Sequence, residues 1–155
     1  MNFKGELTFK DLVKTNKHKL QSDWKKVGLL LLKDDTESYY AWLLKKRFGL
    51  TLNRTLRGSH ITIINDKFLN NKKWETLSNQ FEGKEVEFNY SPENIRTDGL
   101  HWWINVKSKE SEDIRELFGL NRNPYFGFHL TLGYSNEKNL LHSQYIHKIC
   151  VSFNL

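Results

Sequence analysis

The sequence predicts an α+β fold: two pseudo-symmetric strand-helix-strand-helix-strand halves, mainly antiparallel, around a central cleft. Three observations carry that expectation. A short pattern of His, one apolar residue and Thr stands at His60-Ile61-Thr62 and again at His129-Leu130-Thr131, both times inside a run of aliphatic and β-branched residues that reads as a strand. The segments flanking the two copies follow one another in the same order in both halves of the chain. No Pro-rich, Ser-rich or other low-complexity stretch divides the chain, so residues 1–155 read as one domain with lobes at 27–91 and 100–155.

Taken in order, residues 8–22 predict a helix opened by Thr8, with Phe9, Leu12, Val13 and Leu20 as its apolar positions. Val27 to Leu32 is a short apolar run bounded by charge, which reads as a buried strand. Asp34-Asp35-Thr36 then supply an N-cap for a helix through Arg47. Its last turn carries Lys45, Lys46 and Arg47, where the helix dipole favours cations, and Gly49 is the expected stop. A loop from Leu50 to Arg57 leads into the first His-x-Thr strand. Asn70 to Phe81 reads as a helix ended by Gly83, Lys84 to Tyr90 alternates as a strand, and Ser91 to Gly99, with Pro92, reads as a connection at the chain's midpoint. The second half repeats the order. Leu100 to Val106 is a strand, Ser111 to Phe118 a helix stopped by Gly119, and Leu120 to Gly127 a loop. The second His-x-Thr strand follows, then a helical stretch over Glu137 to Gln144 and a last strand from His147 to Phe153.

A chain of 155 residues can bury a real core. With 38% hydrophobic and 27% charged residues it has no apolar run long enough to span a bilayer. The N-terminus lacks the pattern of a secretory leader, and a lone Cys150 excludes a disulfide framework. A cytoplasmic protein with no membrane partner and no obligate protein partner is the expectation. The net charge of +6 favours an anionic partner, although the lysines crowding the N-terminal segment read first as a solvated helical face. Aromatic residues make up 14% of the chain, and base-stacking platforms draw on the same residues as the core.

In a strand, alternate side chains share a face. His60 and Thr62 therefore stand together with Ile61 and Ile63 behind them, and His129 and Thr131 stand together in front of Leu130 and Leu132. Two such pairs facing each other offer two acid/base groups and two hydroxyl donors. Phosphodiester cleavage removes a proton from the attacking oxygen and delivers one to the leaving oxygen, and imidazoles do both near neutral pH. Hydroxyls can donate to the non-bridging oxygens, where charge grows. Such chemistry requires no metal and no other cofactor. The chain also lacks His-Glu-x-x-His, clustered acidic ligands and a Gly-rich phosphate loop.

His60, Thr62, His129 and Thr131 are thus the candidate catalytic residues. Arg54 and Arg57 precede the first motif and are candidate phosphate donors, with plain surface charge as the alternative. Trp102 and Trp103 face opposite ways, so one belongs to the core and Trp103 is the candidate to stack a base. Tyr134, one residue past Gly133, is a candidate for the cleft mouth, with rim packing as the alternative. His101 shares a face with Trp103 and reads as structural or exposed.

The paired motifs, and Phe128-His129-Leu130-Thr131-Leu132-Gly133 in particular, resemble the 2H phosphoesterase superfamily. Its members are two-lobed, metal-independent enzymes acting on cyclic phosphates and phosphodiesters of nucleotides. The resemblance implies that His60 and His129 are the acid/base pair and that Thr62 and Thr131 hold the phosphate. The 69-residue spacing, the small size and the run from Tyr39-Tyr40-Ala41-Trp42 to Arg57-Gly58-Ser59-His60 are most similar to the phage anti-CBASS phosphodiesterases. That likeness implies hydrolysis of 3′–5′ bonds in cyclic di- or trinucleotide messengers, aided by the ribose 2′-hydroxyl, in a host cytoplasm. Three other readings compete. One is the same chemistry on RNA ends, opening 2′,3′-cyclic phosphates or 2′–5′ linkages. Another is a non-catalytic RNA-binding module, and the third a metal-dependent hydrolase using His60, His129 and a carboxylate.

Overall fold

The computed structural model describes residues 2–10, 26–67 and 69–136. In chain order the elements are β1 (Asn2–Thr8), β2 (Gly28–Leu32), α1 (Thr36–Phe48), β3 (His60–Ile64), α2 (Asn71–Phe81), β4 (Glu85–Thr97), β5 (His101–Lys107), α3 (Lys109–Leu117) and β6 (His129–Tyr134). The strands are antiparallel and close into a barrel in the order β1-β2-β3-β6-β5-β4. No described helix is long and apolar enough to cross a membrane.

One row of residues fixes the register of the whole barrel. Leu7 pairs with Leu30, Leu30 with Ile61, Ile61 with Leu130, Leu130 with Ile104, and Ile104 with Ile95. All six are essentially inaccessible to solvent, and they share one core with Tyr40 and Leu44 of α1, Ile114 of α3, and Phe118. Burying a side chain of this kind is worth about 1.5–3 kcal/mol. A one-residue slip would turn a whole strand over, exposing its apolar set. The core row therefore dictates that alternate residues of β3, β6 and β5 look away from it: His60, Thr62, His129, Thr131, Trp103 and Asn105, all half-buried or exposed.

The helices form where their caps place them. Asp35 accepts from the Ser38 N–H at the start of α1, and Gly49 ends it at φ 65°. Asn70 accepts from the Lys73 N–H at the start of α2.

The structure departs from the sequence reading at the N-terminus and at the midpoint. Thr8 closes β1 instead of opening a helix, and β1 itself was not expected. Its alternation (Phe3, Gly5, Leu7 inward) is diluted by a glycine that the fold needs, since a Cβ at position 5 would lie 2.6 Å from Leu30 Cγ. The rest of the predicted 8–22 helix, the 137–144 helix and the 147–153 strand lie outside the described residues. Ser91 to Thr97, expected as a connection, continues β4. Pro92 falls where pairing with β5 is interrupted between Tyr90 and Ile95, so its missing N–H breaks no ladder bond. The longer β4 pairs with β1 through Glu85–Asn89 and with β5 through Asn89–Thr97, and so closes the barrel.

Candidate active site

β3 and β6 meet at a single bridging pair, Ile61 and Leu130. The antiparallel register through this pair sets position 60 across from 131 and position 62 across from 129. The two His and two Thr thus form a crossed quartet, with the imidazoles on one diagonal and the hydroxyls on the other. Diagonal neighbours on paired strands lie about 7–8 Å apart, which leaves space for one phosphate between two rings. The flanking strands extend this face. Asn105 stands opposite His129, Trp103 opposite Thr131, and Leu31 opposite His60.

The two motifs are built alike. Each His is preceded two residues earlier by a glycine at positive φ, Gly58 at 69° and Gly127 at 66°. The carbonyl of that glycine lies 2.7 Å from His60 Nδ1 in one case and 3.1 Å from His129 Nδ1 in the other. A carbonyl can only accept, so Nδ1 carries the proton and Nε2 keeps the lone pair in the neutral ring. The residue before each His accepts a backbone bond from the neighbouring strand, Leu32 N–H to Ser59 O at 3.0 Å and Val106 N–H to Phe128 O at 2.8 Å. Three residues past each His the ladder skips a residue. Leu29 pairs with Thr62 and Gly28 with Ile64, while Trp103 pairs with Thr131 and Trp102 with Gly133.

The second bulge re-aims a side chain, as bulges beside sites commonly do. Beyond it Tyr134 pairs with His101, so it shares the face of Trp103, Thr131 and His129 and is 42% exposed. Gly133 makes this possible. At φ 144° its Cα passes so close to the preceding loop that a Cβ would lie 2.6 Å from Asn53 O. Asn53 and Tyr134 exchange backbone bonds there, at 2.7 and 3.1 Å.

Electrostatics distinguish the first imidazole. Burial lowers the His60 pKa below its ordinary 6.5, and the nearby charges of Arg57 and His129 lower it further, against the opposing pull of the Gly58 carbonyl. The effect of His129 on His60 places both rings in one electrostatic neighbourhood. Of the two arginines, Arg57 acts on His60, whereas Arg54 Nη2 donates to both oxygens of Asp35 at 2.8 and 2.9 Å on the surface. His101 pairs with Asp98 at 3.0 Å and is exposed. Desolvation pushes Asp98 up, but the N–H groups of His101 and Leu100 and the His101 ring outweigh it and hold the carboxyl at about 2.

Sequence reasoning missed four supporting residues, Glu37, Thr55, Arg115 and Asn105. Glu37, fully buried in the first turn of α1, accepts from Thr55 N–H at 2.5 Å and Thr55 Oγ1 at 3.0 Å, while its own N–H donates to Ser59 Oγ at 2.9 Å. Thr55 Oγ1 also lies 2.9 Å from Gly58 O, the carbonyl that holds His60. Arg115, buried in α3, donates to Ile63 O at 2.8 Å, to Asn121 O at 2.7 Å and to both oxygens of Asp66. Ile63 is the residue skipped in the first bulge, so Arg115 captures a carbonyl lying at the interruption of the ladder. An acidic residue in a helix first turn and an Arg in a short helix are ordinary, and nothing in their spacing announces these roles. Asn105 was detectable, because it stands two residues beyond Trp103 in an alternating strand. Among the described residues no group of three or more His, Cys, Asp or Glu converges as metal ligands would.

A family model described as the Swiss Army Knife 2H phosphoesterase domain matches residues 44–140, more than half of the chain and inclusive of both His-x-Thr strands. The chain belongs to the 2H phosphoesterase family, and a phosphodiesterase-type hydrolase activity goes with that membership. No curated protein and no solved structure shows a significant match to it.

Proposed function

We propose that this protein is a metal-independent phosphodiesterase that opens 3′–5′ bonds of cyclic di- or oligonucleotides, with His60, Thr62, His129 and Thr131 as its catalytic residues. The observation that carries the reading is the crossed quartet with its matched Nδ1 anchors. Register sets the two imidazoles on one diagonal and the two hydroxyls on the other, and the Nδ1 anchors leave each Nε2 with its lone pair in the neutral ring.

In the forward step neutral His60 takes the proton of a ribose 2′-hydroxyl, O2′ bonds to phosphorus, and the bond to O5′ breaks as protonated His129 gives O5′ its proton. The depressed pKa of His60 suits it to start neutral. Thr62 and Thr131 donate to the non-bridging oxygens as their charge grows. The resulting 2′,3′-cyclic phosphate is opened by water with the two imidazoles in exchanged roles. Trp103, beside Thr131, provides a face on which a base stacks, Arg57 adds positive charge on the His60 side, and Tyr134 sits at the rim. Arg54 would reach substrate only by leaving Asp35. An enzyme of this kind in a host cytoplasm would remove the messengers on which CBASS antiphage immunity depends.

The test is turnover of cyclic di- and trinucleotides, beside an RNA end bearing a 2′,3′-cyclic phosphate, in the presence of chelator. His60→Ala and His129→Ala should each lose about 10²–10⁴-fold in kcat. Cleavage of the RNA end alone moves the protein to RNA processing. Dependence on added metal removes the metal-independent mechanism, and tight binding without turnover leaves a binding module.

A further inference from the structure

The polar face of the sheet does not stop at the quartet. On β5, Trp103, Asn105 and Lys107 share the face of His129, and Lys107 pairs with Asn89, which in turn pairs with Asn2 of β1. Of these positions Asn2, Asn89, Asn105 and Lys107 line a pocket of about 260 Å³, together with Tyr90, Ser91 and Asn94. Asn105 belongs to both places: it stands opposite His129 and it forms part of the pocket wall. Its Oδ1 is occupied by the Trp103 indole N–H at 3.1 Å, which fixes the amide and leaves its two N–H donors for another acceptor.

Much of the rest of the wall consists of side-chain amides and one cation, whereas the Tyr90 hydroxyl is engaged with Tyr40. Among the described residues no side-chain bond engages Asn2, Asn89, Asn94 or Lys107, while Tyr90 supplies an aromatic body held against Phe3 and Phe88. Amides present a donor and an acceptor side by side, the combination that matches the edge of a nucleobase. A lone phosphate would call for cations, and the wall has one, Lys107. From Asn105 the pocket extends along β5 to Lys107, and two residues of strand span about 7 Å. That is the order of separation between a phosphate and the base of an attached nucleoside.

We infer that this pocket is a second base subsite, taking the nucleobase on the His129 side of the scissile phosphate while the other nucleoside lies toward Trp103. The inference rests on the phosphodiesterase reading and narrows it to substrates with a nucleoside on each side of the phosphate. A 2′,3′-cyclic mononucleotide fills only one side.

The test is the double variant Asn89→Ala/Asn94→Ala, whose side chains bond to no other described residue, so its melting temperature should match the wild type. With a cyclic dinucleotide, KM should rise about tenfold for the two lost hydrogen bonds while kcat holds. With a 2′,3′-cyclic mononucleotide, neither constant should change by more than about twofold. An unchanged KM for the dinucleotide overturns the subsite, and so does an equal loss on both substrates, which would assign the pocket to the reacting nucleotide itself. Should the wild type turn over neither substrate, the phosphodiesterase reading fails separately. Titration of the cyclic dinucleotide then decides the pocket: weaker binding by the double variant supports it and unchanged binding overturns it.

Discussion

The two His-x-Thr segments share a backbone and differ in what surrounds it. Both have a positive-φ glycine two residues before the His, a carbonyl anchoring Nδ1, and a bulge three residues after. Around the first, charge does the holding. Glu37 and Thr55 brace the turn, Arg115 captures the bulge, and Arg57 stands in the turn itself. Around the second, the bulge is held by close backbone approach at Gly133, and the corresponding turn carries Tyr125 and Phe126, 95% and 80% exposed. The backbone gives both imidazoles the same Nδ1 anchor, while burial and the charge of Arg57 lower the pKa of His60. A symmetric frame in this way carries two His-x-Thr pairs in unlike surroundings.

Four substitutions break or sharpen this comparison. Arg115→Ala should cost the most, about 3–5 kcal/mol in denaturant unfolding, because it leaves Asp66 and the Ile63 carbonyl without their buried partner. Loss of less than 1 kcal/mol would show that the first bulge holds without its cation. Gly133→Ala should cost about 1–3 kcal/mol from crowding against Asn53 O, with further strain from the positive φ. Its activity should fall more than its stability explains, since Tyr134 and Thr131 flank the bulge, and parallel melting and rate measurements separate the two effects.

Thr55→Val should lose roughly 1.5–3 kcal/mol by removing a hydroxyl from the buried Glu37 carboxylate. Thr55→Ser should restore both stability and kcat/KM, whereas failure of that rescue would mean that the methyl group, not the hydroxyl, matters. The smallest effect should come from Arg57→Met. Positive charge there disfavours imidazolium, so the acid limb of kcat/KM, which lies below pH 6.5 in the wild type, should move upward when the charge is removed. A pH–rate profile that does not move would show that Arg57 does not reach the base. The same depressed pKa makes neutral His60 a source of folding stability that is present above pH 6.5 and lost as pH falls through the lowered value.

By itself the sequence determined the positions of most elements and the four residues of the quartet, because both are local. Strand alternation assigns His60 and Thr62 to one face from two residues of spacing, and the caps at Asp35, Asn70 and Gly49 mark helix ends within a few positions. Only the tertiary structure decided what depends on other strands. The crossing of His and Thr between β3 and β6, the placing of Tyr134 on the site face by a skipped residue, and the closure of the barrel by a longer β4 all follow from register. Register is set by the buried row from Leu7 to Ile95, which is assembled from six separate stretches of chain. Glu37 and Arg115 became visible for the same reason. A buried charge is defined by its partners, and theirs lie 18 and 49 residues away along the chain.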